Sequence, residues 1–331
     1  MTAPTTLVLT RSDVVALLEL DECIAAVEQA FRLHGEGRTQ PPGTLAVAAP
    51  PGGFHIKAGV LGLERAYFAA KTNANFPENP RRHGLPTIQD VIVLADATRG
   101  APLALLDSIE ITALRTAAAT AVAAKHLARP DARVATIVGC GVQGRVQLRA
   151  LRRVLPLDRV YACDREPGLA ERFAAELAAK LALDVRPVAE VGPAARESDV
   201  VVTCTTSRAP ILGLGDVRPG TFVAAVGADH PEKQEIDPAL LAAGTILVDV
   251  LDQAATMGDL HHALAAGVVA RSDVYAELGE VVAGKKPGRR SAAETIIFDS
   301  TGMALQDVAA AAVVYEKAVR LGRGLPVRLG E

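Results

Sequence analysis

The sequence contains no tryptophan, and aromatic residues make up only 3% of its 331 positions. That leaves no platform on which nucleic-acid bases would stack. Neither sign of charge is in excess: 35 Lys and Arg face 38 Asp and Glu, for a net charge of −3. A global positive field for nucleic acid is therefore excluded as well. Long apolar runs are missing. The best candidates, Ala117–Ala124 and Val308–Tyr315, are short and Ala-rich. They fall well under the roughly 18–20 residues that cross a bilayer, so no membrane partner is expected. The opening residues MTAPTTLVLTRSD lack a basic start followed by an apolar stretch, and no signal peptide is expected from them. Cysteine is sparse and unpatterned: Cys23, Cys140, Cys163 and Cys204 form no CxxC pair. The expectation is reduced thiols in a cytoplasm, with neither a disulfide framework nor a metal site.

What is present is ordinary globular material. Hydrophobic residues make up 50% and charged residues 22%, enough to bury a large core and to exclude intrinsic disorder. At roughly 150 residues per domain, the length implies two domains. The N-terminal stretch reads as helices. Thr10-Arg11-Ser12-Asp13 is a capping signal before VVALLEL, and Asp21 opens a second periodic run that Gly35 and Gly37 end. Residues 40–106 turn to short strand-like runs: Thr44–Ala48, Phe54–Ala58, Tyr67–Thr72, Asp90–Ala95 and Pro102–Asp107. Turn-rich segments separate them, Asn73–Arg82 among these, and Ala97–Gly100 reads as a hairpin turn. This is an α+β region with an antiparallel or mixed sheet. Ser108–Ala128 is one long Ala-rich helix. From Arg133 apolar strands alternate with helices, which predicts a parallel sheet covered on both faces. After Asp259 the chain reads as helical, ending in Leu305–Arg320.

Gly139-Cys140-Gly141-Val142-Gln143-Gly144 is a complete GxGxxG. It follows the apolar strand RVATIV and opens a helix, the context in which such a motif binds a dinucleotide. Gly139 permits the tight turn, Gly141 lets a pyrophosphate approach the backbone, and Gly144 lets helix and strand pack closely. The phosphates then meet the unpaired N–H groups of the helix N-terminus. The next strand ends at Asp164, twenty residues past Gly144. That is the position of an acid that bonds the ribose 2′-hydroxyl, so NAD is favoured. Arg165 beside it can accept a 2′-phosphate and keeps NADP open.

Four further stretches occur in order along the chain: Gly84-Leu85-Pro86-Thr87, Ile111-Thr112-Ala113-Leu114-Arg115-Thr116-Ala117-Ala118, Val226-Gly227-Ala228-Asp229-His230-Pro231-Glu232-Lys233-Gln234-Glu235 and Asp299-Ser300-Thr301-Gly302. Together with the glycine motif they resemble the ornithine cyclodeaminase/mu-crystallin family. The resemblance implies a Rossmann-type doubly wound parallel sheet, residues 123–307, inserted into an α+β substrate-binding and dimerisation domain, residues 1–122 plus 308–331. It implies a homodimer that uses a nicotinamide to make or reduce a C=N bond beside a carboxylate.

Such chemistry needs the carboxylate held, a proton moved at nitrogen, and the nicotinamide facing the α-carbon. By the resemblance, Arg115 holds the carboxylate; by itself, an Arg in LRTAAA reads as a helix salt bridge. Lys71 is placed in the substrate pocket, whereas by itself it reads as a solvated strand-end lysine. Asp229 is the implied acid/base, at a strand end that otherwise reads as a helix cap. The implied cofactor contacts are Thr87, Arg115, Val142, Gln143, Asp164, Thr205, Val226, Gly227, Lys233 and Ser300, with Thr301 near the substrate. One departure stands out. Cyclodeaminases carry an Arg after paired prolines, and this chain has Pro41-Pro42-Gly43. Lys57 and His55, alternate residues of one strand, share a face and can supply the missing cation. The expected activity is an NAD-dependent oxidoreductase interconverting an α-amino acid and its imino or keto acid. The alternatives are a cyclodeaminase that releases ammonia with recycled NAD, and a catalytically idle binding protein.

Overall fold

A computed structural model describes residues 5–329. Met1 to Pro4, Gly330 and Glu331 lie outside the described residues, and with them the start of the segment read for a leader. The chain divides into two compact units: Met1–Arg115 with Met303–Glu331, and Thr116–Gly302. The sequence reading drew these crossings at 122/123 and 307/308. The first falls inside the helix Ile109–Leu127, whose unbroken Ala-rich sequence has no local feature to mark it.

In unit 1, Thr10 caps helix α1 (Arg11–Leu17). Its hydroxyl accepts from Asp13 N–H, and the Asp13 carboxylate accepts the Thr10 N–H in return. Helix α2 (Leu20–Gly35) buries Cys23, Ile24, Val27, Ala30 and Phe31 on one face. The sheet contains β1 (Thr6–Leu9), β2 (Gly43–Ala49), β3 (Gly52–Gly62), β4 (Ala66–Asn75), β5 (Ile88–Asp96) and β6 (Pro102–Asp107). Its order is Leu325–Val327, β1, β6, β5, β4, β3, β2. The β1–β6 pair is parallel and the others are antiparallel, so the sheet is mixed. At the β5–β6 turn, Asp96 Oδ1 accepts the N–H groups of Thr98 and Arg99 at 2.8 and 3.2 Å, the chemistry that makes Asp a turn former. Along β4, Tyr67, Ala69 and Lys71 are buried and their neighbours are not. The buried face packs under the final helix, Ala304–Leu321, which also meets α2. Gly59 allows that approach: a Cβ there would sit 3.0 Å from Leu305 Cδ2.

Unit 2 is an eight-stranded, all-parallel sheet. Its strands are β7 (Val134–Val138), β8 (Arg159–Cys163), β9 (Asp184–Val188), β10 (Val200–Thr203), β11 (Phe222–Ala225), β12 (Thr245–Val248), β13 (Val274–Glu277) and β14 (Ile296–Asp299). The order is β13-β12-β14-β11-β10-β7-β8-β9. Strands β7 to β9 run outward one way, and β10 returns to the other side of β7. The order therefore reverses between β7 and β10, where open α/β sheets take ligands at the strand C-termini.

Three local readings are corrected. The N-terminal stretch is not purely helical, because β1 joins β6 and Leu325–Val327, partners remote in sequence. Asn73–Arg82 is not all turn: β4 reaches Asn75, and Asn79–His83 forms one helical turn ended by Gly84 at φ +65°. The region after Asp259 is not purely helical either. Strand β13 lies at the sheet edge, and β14 lies between β12 and β11 in the middle of the sheet. A four-residue apolar run has too little periodicity to declare itself; its partners, far earlier in the chain, decide it. Phe298 of β14 is fully buried. Phe298→Ala is expected to cost about 3–5 kcal/mol, read as a lowered midpoint in guanidinium unfolding. A loss under about 1 kcal/mol, ordinary for a surface substitution, would refute a central β14.

Candidate active site

Unit 2 carries the cofactor-type residues. Gly139 follows β7 at φ +102°, with its would-be Cβ 2.7 Å from Cys204 O, and a Cβ on Gly144 would collide with Gly139 O. Both glycines serve the packing of the unit itself. Gly141 differs: nothing of the chain lies within 4 Å of its would-be Cβ. It caps helix α3 (Val142–Val154), whose first residue, Val142, is 69% exposed. An open backbone at a helix N-terminus is what a pyrophosphate requires. The Asp164 carboxylate accepts Cys140 N–H at 2.7 Å and Glu166 N–H at 2.9 Å, one on each oxygen. A carboxylate has about four lone-pair positions, so two stay available to ribose hydroxyls. Arg165 stands exposed beside it. Gln143 accepts from Gln147 Nε2 one turn on, at 3.4 Å. These features fit a dinucleotide.

The remaining predicted residues of unit 2 gather at neighbouring strand ends. Val226 is buried and its N–H bonds Thr203 O at 2.9 Å; Ser300 is buried and its N–H bonds Ala225 O at 2.8 Å. Thr205 and Gly227 both bond the Glu235 carboxylate. Asp229 N–H reaches Gly227 O at 3.1 Å, and its exposed carboxylate pairs with Lys233 Nζ at 2.6 Å. Lys233, assigned from the sequence to the cofactor, thus partners the implied acid/base. Thr301 is turned inward: its hydroxyl donates to Asp249 at 2.8 Å and accepts from Gln253 Nε2.

Unit 1 carries the substrate-type residues. Lys71 is not a solvated lysine. It is 3% exposed on the inner face of β4, with Nζ 2.9 Å from Asp307 Oδ1 and 3.3 Å from Thr112 Oγ1. The Thr112 hydroxyl donates in turn to Asp90 Oδ2 at 3.2 Å. Arg115, 6% exposed, donates from Nε to the same Asp307 oxygen at 3.1 Å and from a terminal nitrogen to Gln306 Oε1 at 3.1 Å. Burial pushes the Lys71 ammonium below the usual lysine range, and Arg115 adds to that while Asp307 opposes it. Burial works against ionisation of Asp307, yet Arg115 and Lys71 hold its carboxyl below the usual range. Asp90 is pushed up by burial, with Lys71 partly offsetting it. The sheet register adds two more residues to this face. Lys57 pairs with Lys71 and His55 with Asn73, so all four side chains lie on one side of the sheet. Both His55 and Lys57 are half-buried. Gly43 pairs with Ala58, one step out of the Lys57 row and so on the opposite face. Thr87 is half-buried and its carbonyl accepts Phe76 N–H at 2.8 Å.

Sequence reasoning missed Asp307, Gln306 and Asp90. An acid in the first turn of an apolar helix reads as a partner of the helix dipole, and only the packed structure turns Asp307 onto Lys71 and Arg115.

The profile of the ornithine cyclodeaminase/mu-crystallin family matches residues 5–321. The chain belongs to this family. Among its members, the alanine dehydrogenase of Archaeoglobus fulgidus is 40% identical over 325 residues, 98% of each chain. A solved archaeal alanine dehydrogenase dimer with bound NAD superposes with a TM-score of 0.93 at 40% identity, over 98% of this chain and all of that one. The iminosuccinate reductase of Paracoccus denitrificans, solved with NAD+, gives 0.91 at 34% identity over 98% of this chain and 100% of that one.

For this family member the three glycines separate experimentally. Gly141→Ala, at φ −76° in open space, is expected to leave the melting temperature within about a degree while raising the NADH dissociation constant at least tenfold. Gly144→Ala is expected to lower the melting temperature, because its Cβ meets backbone. Unchanged NADH binding in Gly141→Ala, by fluorescence titration, would remove the phosphates from this turn.

Proposed function

We propose that this chain is an NAD-dependent oxidoreductase that interconverts an α-amino acid and its imino or keto acid. The observation that carries the reading is the pair of buried cations, Lys71 and Arg115, converging on one carboxylate, in a chain whose other unit has an open dinucleotide turn. A buried cation pair of this kind is suited to an anionic substrate group, and Arg offers a planar fork for a carboxylate. The NAD-bound alanine dehydrogenase and iminosuccinate reductase, whose similarity spans almost the whole chain, support the same chemistry. The cyclodeaminase alternative has less support.

NAD, when bound, accepts or supplies the hydride at the substrate α-carbon. Gly141, Val142 and Gln143 would receive its phosphates at the turn that Gly139 and Gly144 pack into shape, and Asp164 its ribose, with Arg165 leaving NADP accessible. Thr87, Thr205, Val226, Gly227, Lys233 and Ser300 complete its contacts. Arg115 and Lys71 hold the substrate carboxylate, and Lys57 and His55 add positive charge on the same face. Thr301 stands beside the substrate. Asp229 exchanges the proton of the substrate nitrogen, since an imine accepts hydride well only when protonated. We also read the chain as a cytoplasmic homodimer. The outer face of the unit 1 sheet exposes Leu45, Val47, Val60, Val93 and Leu105, an apolar row of the kind that marks an interface. No helix among the described residues is long and apolar enough to cross a membrane, and all four cysteines are free.

The test is a screen of amino acids, and of keto acids with amines, against both nicotinamides. Reduced-cofactor absorbance changing in step with product supports the dehydrogenase. Ammonia release with no net absorbance change is the cyclodeaminase outcome. Equal use of NAD and NADP would sink the cofactor preference.

Two variants address the residues. Arg115→Lys keeps the charge and loses the fork; substrate KM is expected to rise at least tenfold, with cofactor binding less affected. Asp229→Asn keeps the shape but carries no proton. General acid/base groups contribute on the order of 10² to 10⁴ in rate, so kcat is expected to fall at least a hundredfold with the NAD dissociation constant nearly unchanged. A fall below tenfold moves the proton transfer to another group, Lys71 first.

A further inference from the structure

The family motif containing Asp229 ends in an acid that the chemistry above leaves unused. Glu235, fully buried, belongs to the short strand Gln234–Ile236 that pairs with Arg208–Leu212. Its Oε1 accepts Thr205 N–H at 2.6 Å and Thr205 Oγ1 at 2.7 Å. Its Oε2 accepts Thr203 Oγ1 at 2.7 Å and Gly227 N–H at 2.8 Å. Four donors fill the roughly four lone-pair positions of one carboxylate. The two backbone N–H groups fall on different oxygens, so all four donors are accepted at full strength only when the group is ionised. The packing is equally close, since a Cβ on Gly227 would lie 2.5 Å from Glu235 Oε1. Glu235 is itself held, because Asp259 Oδ1 accepts the N–H groups of Glu235 and Ile236 at 2.7 and 2.8 Å.

We propose that Glu235, as a carboxylate, is the positioning residue that locks the ends of β10 and β11 together and so aims Thr205 and Asp229. It acts through Gly227, whose carbonyl accepts Asp229 N–H. Protonation of Glu235 reverses one threonine contact and leaves a backbone N–H on the weakly accepting hydroxyl oxygen, and both loops loosen. The inference rests on the oxidoreductase reading for the roles of Thr205 and Asp229, and on geometry alone for the lock. Burial pushes Glu235 up, and its bonds from Thr205, Thr203 and Gly227 hold it down. The other titratable groups around it are Asp259 on the helix Asp259–Ala265, with Asp299 behind it, and the Cys204 thiol between its threonine donors. Burial pushes Asp259 up to about 7, and the like charge of Glu235 adds to that, so ionising one opposes ionising the other.

The sign of the pH effect follows. Activity falls on the acid side as Glu235 takes a proton. Thr203→Val removes one donor to the charged form, makes protonation easier, and is expected to move the acid limb of kcat/KM upward by about one pH unit with the plateau kcat unchanged. Thr203 touches neither cofactor nor substrate in the reading above. Glu235→Gln presents an amide NH2 to a backbone N–H. It is expected to speed amide hydrogen exchange at least tenfold in residues 203–207 and 226–231, with the rest of the unit unchanged, and to lower kcat more than it weakens NADH binding. An unmoved acid limb in Thr203→Val, or wild-type exchange in Glu235→Gln, overturns the proposal. Should Glu235→Gln not fold, Thr203→Val decides. Should the wild-type protein turn over no amino or imino acid, the functional reading fails, and the exchange measurement still decides the lock.

Discussion

A carboxylate taken out of water keeps its charge only where cations and donors replace the lost solvent. Asp307 is in that position, and the buried charged cluster of unit 1 is built on it. It lies in the first turn of the final helix, 1% exposed, and a single oxygen receives Lys71 from β4 and Arg115 from the helix Ile109–Leu127. Three elements from distant parts of the sequence are thereby brought to one point. Removing one partner of such a buried pair typically costs about 3–5 kcal/mol, because the other is left uncompensated.

Unit 2 solves the parallel problem with dipoles. Glu235 is surrounded by N–H and O–H groups, Asp259 by two backbone N–H groups, and Asp249 by Thr301 Oγ1 and Gly302 N–H. Each acid ties together segments that leave the C-terminal edge of the sheet. The glycines do the complementary work. Gly139, Gly144 and Gly227 are places where chain meets chain too closely for a Cβ, while Gly141 faces open space. The same residue type thus serves packing at three positions and leaves the backbone open at one, and the neighbours of each position tell them apart.

Much of the candidate site was legible in the sequence because it is local. The turn of GxGxxG, the acid at the next strand end and the capping box at Thr10 each involve residues close in the chain, and their geometry follows from φ, hydrogen bonding and spacing. The parallel sheet was legible from apolar runs alternating with helices, and the hairpin from Ala97–Gly100 between two apolar runs. Strands β1 and β14 were not legible, being short runs whose state depends on distant partners. Asp307 and Glu235 were not legible as site residues either, since an acid near a helix start or in a polar loop looks the same whether it is solvated or buried.

The sequence by itself determined the glycine turn, the acid at the next strand end, the two-part architecture and the family, since those rest on residue types at short and fixed separations. Only the tertiary structure decided which charges face one another. Lys71 is buried rather than solvated because the final helix covers β4. Lys57 and His55 share its face, and Gly43 does not, because the register of β2, β3 and β4 alternates side chains from one residue to the next. Glu235 spans two strand ends because β10 and β11 are neighbours in the sheet. Burial and register belong to pairs of segments far apart in the chain, and their energy comes from excluding water between them, which no local pattern records.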